Sequence, residues 1–248
     1  MFKKLVLTAA LLAATSANAA LNTGDLAFTA FNADEDGWAL TTFVDIAANS
    51  TVFFTDNEFV SGAFNTGEGQ VTWNTGASSI SAGSIIRFSA IDKAARAVNF
   101  GSITQAGDNG INATTENIFA YLGSDVNTPT TFLAAIANGV YGSGTGSALI
   151  SSLAGTGLTA GVNAIELPAS SDFGQYVGTR SNEATFAAYK PLVANVSANW
   201  STLGTTDASA ILPNTTAFTV AAVPEPETYA LLVAGLGFVG FSARRKTV

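Results

Sequence analysis

Short runs of apolar or alternating residues, separated by Gly, Asn and Asp turns, dominate this chain. They are Leu26 to Phe31, Trp38 to Ile46, Thr51 to Thr55, Val71 to Trp73, Ser84 to Ile91, Asn117 to Leu122, Val162 to Leu167 and Thr216 to Val220. Most are short and rich in Val, Ile, Phe, Trp or Thr, which suits strands rather than helices. In Ser84–Ile91 alternation puts Ile86, Phe88 and Ala90 on one face and Ile85, Arg87 and Ser89 on the other, and Arg87 marks the wetter side. Many short strands with such turns predict a mainly β protein, a β-sandwich.

Two segments read as short helices. In "NTPTTFLAAIANG", Thr128 is placed to cap, Pro129 to occupy the first helical position and Gly139 to stop the helix. In "SNEATFAAYKP", Asn182 is the cap, Lys190 sits in the last turn and Pro191 terminates.

The two ends differ from the rest. Lys3 and Lys4, an apolar stretch from Leu5 to Ala14 and Ala17-Asn18-Ala19 follow the order of a secretory signal peptide, predicted to be residues 1–19. At the other end, Tyr229–Ala243 carries no charge and is followed by Arg244, Arg245 and Lys246. As a helix it would be about 22 Å long, short of the ~20 residues of an ordinary span. Basic residues stay on the cytoplasmic side, so with the N-terminus exported, residues 20–222 would lie outside and the cations would stop transfer.

Residues 20–222 carry five basic and 16 acidic side chains, a net charge of −11. That field repels phosphate backbones, so charge alone argues against nucleic acid as a partner. The chain has no cysteine and no histidine. Packing without disulfides must hold it, and Ser-His-Asp catalysis, Cys-His catalysis and imidazole-ligated zinc are excluded.

The remaining chemistry is carboxylate chemistry. Asn32, Asp34 and Asp36 alternate in "FNADEDGW" before Gly37, like the first half of an EF-hand loop. Position twelve, where that loop needs a bidentate Glu, is Phe43. A calcium site of another kind would require Asp56 or Glu58 alongside; an ordinary solvated turn is the simpler reading. Asp56 and Glu58 could alternatively serve as the paired carboxylates of a secreted hydrolase. Trp38, Trp73, Trp200 and Tyr176 could stack on sugars, although aromatics in β domains are more often core. No cofactor is called for beyond the calcium alternative.

"VPEPETYALLVAGLGFVGFSARRK" resembles the PEP-CTERM sorting signal of Gram-negative bacteria: a Val-Pro-Glu-Pro box, an apolar helix with glycines and an Arg-rich tail, in that order. Glu227 stands where the family more often has a small residue. The resemblance implies that Val223, Pro224, Glu225 and Pro226 form the recognition box of an exosortase-like membrane protease. It implies a transient inner-membrane anchor at 229–243 within a sorting segment 223–248, and a place at the cell surface or outside the cell. Such proteins commonly accompany exopolysaccharide. The stretches "GDLAFTAFNADEDGW" and "VFFTDNEF" are also similar to lamin-tail-like extracellular β-sandwiches. Together with signal-peptidase processing, these features predict an exported, non-enzymatic structural or adhesive matrix protein. A calcium- or carbohydrate-binding module is the alternative, with a secreted hydrolase third.

Overall fold

The structure, a computed structural model, describes residues 20–145 and 149–222, with Ala234 and Leu236 beyond them. The predicted signal peptide, the box at 223–226, most of the 229–243 helix and the cations at 244–246 lie outside the described residues.

The strands in chain order begin with β1 (Leu26–Asn32), β2 (Gly37–Thr42), β3 (Thr51–Thr55), β4 (Phe59–Val60) and β5 (Ala63–Phe64). Next come β6 (Gln70–Asn74), β7 (Ile85–Ser89), β8 (Ala97–Val98), β9 (Ser102–Ala106) and β10 (Asn117–Asp125). The last are β11 (Thr128–Ala137), β12 (Ala164–Glu166), β13 (Phe173–Tyr176) and β14 (Trp200–Leu203). A 3₁₀ turn at Phe186–Tyr189 leads into α1 (Lys190–Ala194) and α2 (Val196–Asn199). Among the described residues these make two six-stranded sheets, ordered β14-β13-β1-β2-β7-β8 and β12-β11-β10-β3-β6-β9, and a β4–β5 hairpin.

Phe28, Leu40, Ile86 and Phe88 of the first sheet meet Val52, Phe54, Trp73, Ile118 and Leu133 of the second in one buried cluster. Two sheets burying a shared apolar interior is a sandwich, as the periodicity predicts. The outer faces are covered too. Ala27, Ala39, Phe43 and Ile85 pack against Tyr189, Val193 and Phe218, from the 3₁₀ turn, α1 and the C-terminal segment. On the second sheet, Phe53, Phe119, Tyr121 and Phe132 are joined by Phe59 and Leu158, with Phe64 against them. Central strands buried on both sides explain why β1 and β2 are buried at every position rather than at alternate ones.

That double burial is also why the helix expected at 128–139 is instead the long strand β11. Pro129 and Thr128 lie at the tight end of the β10–β11 hairpin, where Asn127 N–H donates to Asp125 Oδ1 (2.8 Å). Beyond them a continuous apolar run is covered by two layers, and such a run has no period to distinguish strand from helix. Its alanines allow this, since Ala135 lies between Phe119 of β10 and Ala164 of β12. The second helical expectation is partly right. Thr185, not Asn182, caps the 3₁₀ turn by accepting from Ala188 N–H. Pro191 opens α1 rather than ending a helix, a place where its missing N–H costs nothing. Thr216–Val220 is no strand; it makes one isolated bridge, Val220 to Glu183.

Candidate functional site

Three places gather the chemistry the sequence offers. The first is the β1–β2 turn. Asn32 is fully buried, accepts from Glu35 N–H (3.1 Å) and donates to the carbonyls of Ala208 (3.0 Å) and Ile211 (3.1 Å). Asp34 Oδ2 accepts from Ala208 N–H at 2.6 Å. Asp36, at φ 55°, accepts from Ile111 N–H (3.0 Å) and pairs with Lys93 Nζ (3.0 Å). The alternating residues are therefore directed apart: Asn32 and Asp34 to the 207–211 loop, Asp36 to the 108–112 loop and Lys93. They act as clips between the turn, the 108–112 loop and the 207–211 loop, not as an oxygen cage.

The second place surrounds Asp56, at the end of β3 on the other sheet. Asp56 Oδ1 accepts from Gly69 N–H at 2.6 Å, and its carbonyl accepts from Asn117 Nδ2 at 2.9 Å. Glu116 is buried, its two oxygens accepting from Asn112 N–H (3.0 Å) and Asn117 N–H (2.8 Å). Glu58 accepts from Asn65 Nδ2. Glu68 has a buried oxygen, Oε2, with no hydrogen bond. Burial pushes the Asp56 carboxyl up to about 7; the Gly69 amide resists this, while Asp108 and Glu58 add to it. Burial likewise raises Glu68 to about 7, with Glu58, Asp56 and Asp108 contributing. Burial and the neighbouring Asp56 raise Glu116 well above the usual range, against its two backbone amides. Burial thus favours the protonated, uncharged form of Asp56, Glu68 and Glu116 over the carboxylate.

The structure does not assemble Asn32, Asp34, Asp36, Asp56 and Glu58 into one site. Among the described residues no group of three or more Asp, Glu, His or Cys is arranged to hold a metal ion. Sequence reading found Asp56 and Glu58 but missed Glu68, Asp108 and Glu116. Those three are scattered through separate turns, and only β3–β6 pairing and the 108–116 loop bring them close.

Asp34→Ala should lower stability by about 1–2 kcal/mol, because it leaves the Ala208 amide without its acceptor. Urea unfolding in EDTA would check this, and adding calcium should leave both curves where they were.

The third place is a cavity of about 280 Å³ between the Gly161–Asn163 loop and α1. Leu26, Phe43, Val162, Asn163, Lys190 and Pro191 are among its walls. Lys190 Nζ stands 3.6 Å from Asp25 Oδ1 and 5.5 Å over the Phe43 ring. Past Pro191 and Ala194 it meets a more open depression of about 480 Å³ walled by Glu166, Asn195 and Ser197. The cavity falls just below the ~300–1,000 Å³ range of small-molecule pockets. The aromatics proposed as a sugar-stacking face are not there: Trp38, Trp73 and Tyr176 are buried in the clusters. Trp200 is half-buried, its Nε1 donating to Val193 O at 2.8 Å.

Fold and site define an acidic mainly β domain whose polar groups are mostly spent on holding its own loops. The tail supplies the identification: residues 222–246 match the PEP-CTERM protein-sorting motif, so the chain carries a PEP-CTERM sorting tail. The motif marks a chain exported to the cell envelope or surface of a Gram-negative bacterium and processed by exosortase at the membrane. No curated protein and no solved structure matches the chain. The expected likeness of its core to lamin-tail-like domains is therefore not shown. Among the described residues no helix is long and apolar enough to cross a membrane.

Proposed function

We propose that residues 20–222 are a non-enzymatic structural or adhesive component of the cell surface or extracellular matrix, delivered by the sorting tail and associated with exopolysaccharide. The observation that carries this reading is the sorting motif itself, placed directly after a packed sandwich. The absence of His and Cys from the sequence supports it, since the commonest nucleophile–base pairs are unavailable. A second reading, a small-ligand or carbohydrate-binding module, draws on the cavity beside Lys190.

The test is fractionation of the full-length chain in its own type of host. Wild type should collect at the surface and in the extracellular polymer, while Pro224→Ala should stay in the membrane fraction. Identical fractionation of the two would sink the sorting step. Wild type that is released but does not co-sediment with the polymer would sink the matrix role.

A further inference from the structure

The sorting motif begins at Ala222, and the domain grips the backbone up to the residue before it. Ala221 N–H donates to Glu183 O (2.8 Å), and Val220 forms a parallel bridge with Glu183. Thr219 N–H donates to Arg180 O (2.7 Å), while its carbonyl accepts from the Tyr189 hydroxyl (2.6 Å). Phe218 N–H donates to Gly83 O (2.8 Å), Thr216 O accepts from Arg180 Nη1 (2.9 Å) and Asn214 N–H donates to Gln175 Oε1 (3.2 Å). Around these bonds the segment is exposed, except for Phe218, which is 2% exposed. Its ring lies 5.6 Å from Tyr176 and 4.9 Å, edge-on, from Tyr189, with the Arg180 guanidinium 4.9 Å from its centre. Gly83 makes the close approach feasible: a Cβ there would stand 2.3 Å from Phe218 O.

An exposed segment pinned by one ring and a ladder of backbone bonds is a strap. Its backbone is already engaged, so it cannot lie extended in the cleft of another protein. A protease acting beside such a segment works on its opened form, at a rate set by how often it opens. The box at Val223–Pro226 begins two residues past the last of these bonds.

We propose that residues 214–221 are a strap that controls presentation of the sorting motif: the membrane protease engages the box only when the strap has peeled from Tyr176, Arg180 and Tyr189. These three, with Phe218, are positioning residues for sorting. The inference rests on the sorting motif and not on the matrix role.

The experiment is pulse–chase of the full-length chain in cells that process it. A short flexible Gly-Ser insertion between Ala221 and Ala222 leaves the strap docked yet frees the box. It should speed conversion about tenfold or more while the melting temperature of the domain stays unchanged. Phe218→Ala should also speed conversion, and adding the insertion to it should bring no further gain. The insertion is the decisive variant, because it leaves the domain intact even if Phe218→Ala folds poorly. Processing that Pro224→Ala abolishes but the insertion does not accelerate would overturn the strap alone. Processing that survives Pro224→Ala would overturn recognition of the box, and the strap with it.

Discussion

Phe88→Ala should lower the unfolding free energy by about 3–5 kcal/mol, against the 5–15 kcal/mol that usually holds a domain together. Phe88 is fully buried on β7, in the middle of the aromatic interior. It stacks on Trp38 at 5.1 Å, tilts against Phe54 at 4.8 Å and meets Trp73 edge-on at 5.6 Å. Truncation would leave a void among three rings that cannot readily close it. Trp73 is fixed by its Nε1 bond to Phe100 O (2.8 Å) and by β6 pairing on both sides, to β3 and β9. Phe54 is held by β3 between β10 and β6. The cost of a core truncation rises with how poorly the site can collapse. With no cysteine, the chain has no crosslink to limit the unfolded ensemble. Urea unfolding with an unchanged m-value would measure the loss directly. A loss below about 1 kcal/mol would mean that the interior is not packed around this ring. Val162→Ala, at an exposed position on the cavity rim, should be near neutral by comparison.

Much of this interior was legible in the sequence. The runs around Phe28, Trp38, Phe54, Trp73 and Phe88 declared strands because β-branched and aromatic residues recur there between turn residues. Alternation failed where burial is two-sided. At Phe132–Ala137 the polar positions that would have given the period away are missing, and Pro-Thr ahead of an Ala/Leu body imitated a helix start. β9 offers one large apolar residue, Ile103, and β13 is only four residues long, so neither announces itself; pairing with β6 and β1 makes them.

The site was legible only in part. Local spacing showed Asp34 and Asp36 correctly as turn residues, but could not show that each clips a different distant loop. The cluster around Asp56 joins residues from position 56 to position 116, and no local spacing encodes such proximity. Nor could the grip on Phe218 be read, since Tyr176, Arg180 and Tyr189 lie some 30 to 40 residues upstream of it in a segment without a recognisable motif. The sorting tail is the opposite case. A membrane signal is read as a linear order of box, apolar run and cations, so the sequence carries it whole.

Stability should fall as pH rises from about 4 to about 7, the reverse of a protein held by ionised carboxylates. Asp56 and Glu68 ordinarily titrate at 3.8 and 4.5, and in the fold burial raises both to about 7. Between those values the folded chain keeps protons that the unfolded chain has released. Unfolding free energy therefore decreases with pH, by at most ~1.4 kcal/mol per pH unit for each such group. The stabilising contribution is complete below the unfolded values and gone once pH passes the folded ones. Asp56, 7% exposed, should carry most of the effect; Glu68 is less enclosed, and solvent screening trims its share. Glu116 acts in the same direction, its upward shift set first by burial. Asp56→Asn provides the test, because the amide keeps an oxygen for the Gly69 N–H but has no charge to bury. At pH 5 the variant should unfold close to wild type. At pH 8 it should be more stable, by up to ~3 kcal/mol, and its midpoint should change less between the two. A wild-type urea midpoint that is flat or rises from pH 5 to pH 8 would mean that the cluster ionises without cost. If it falls as expected, the exported domain is firmest in mildly acidic surroundings, because burial makes the protonated form of these carboxyls the cheaper one to enclose.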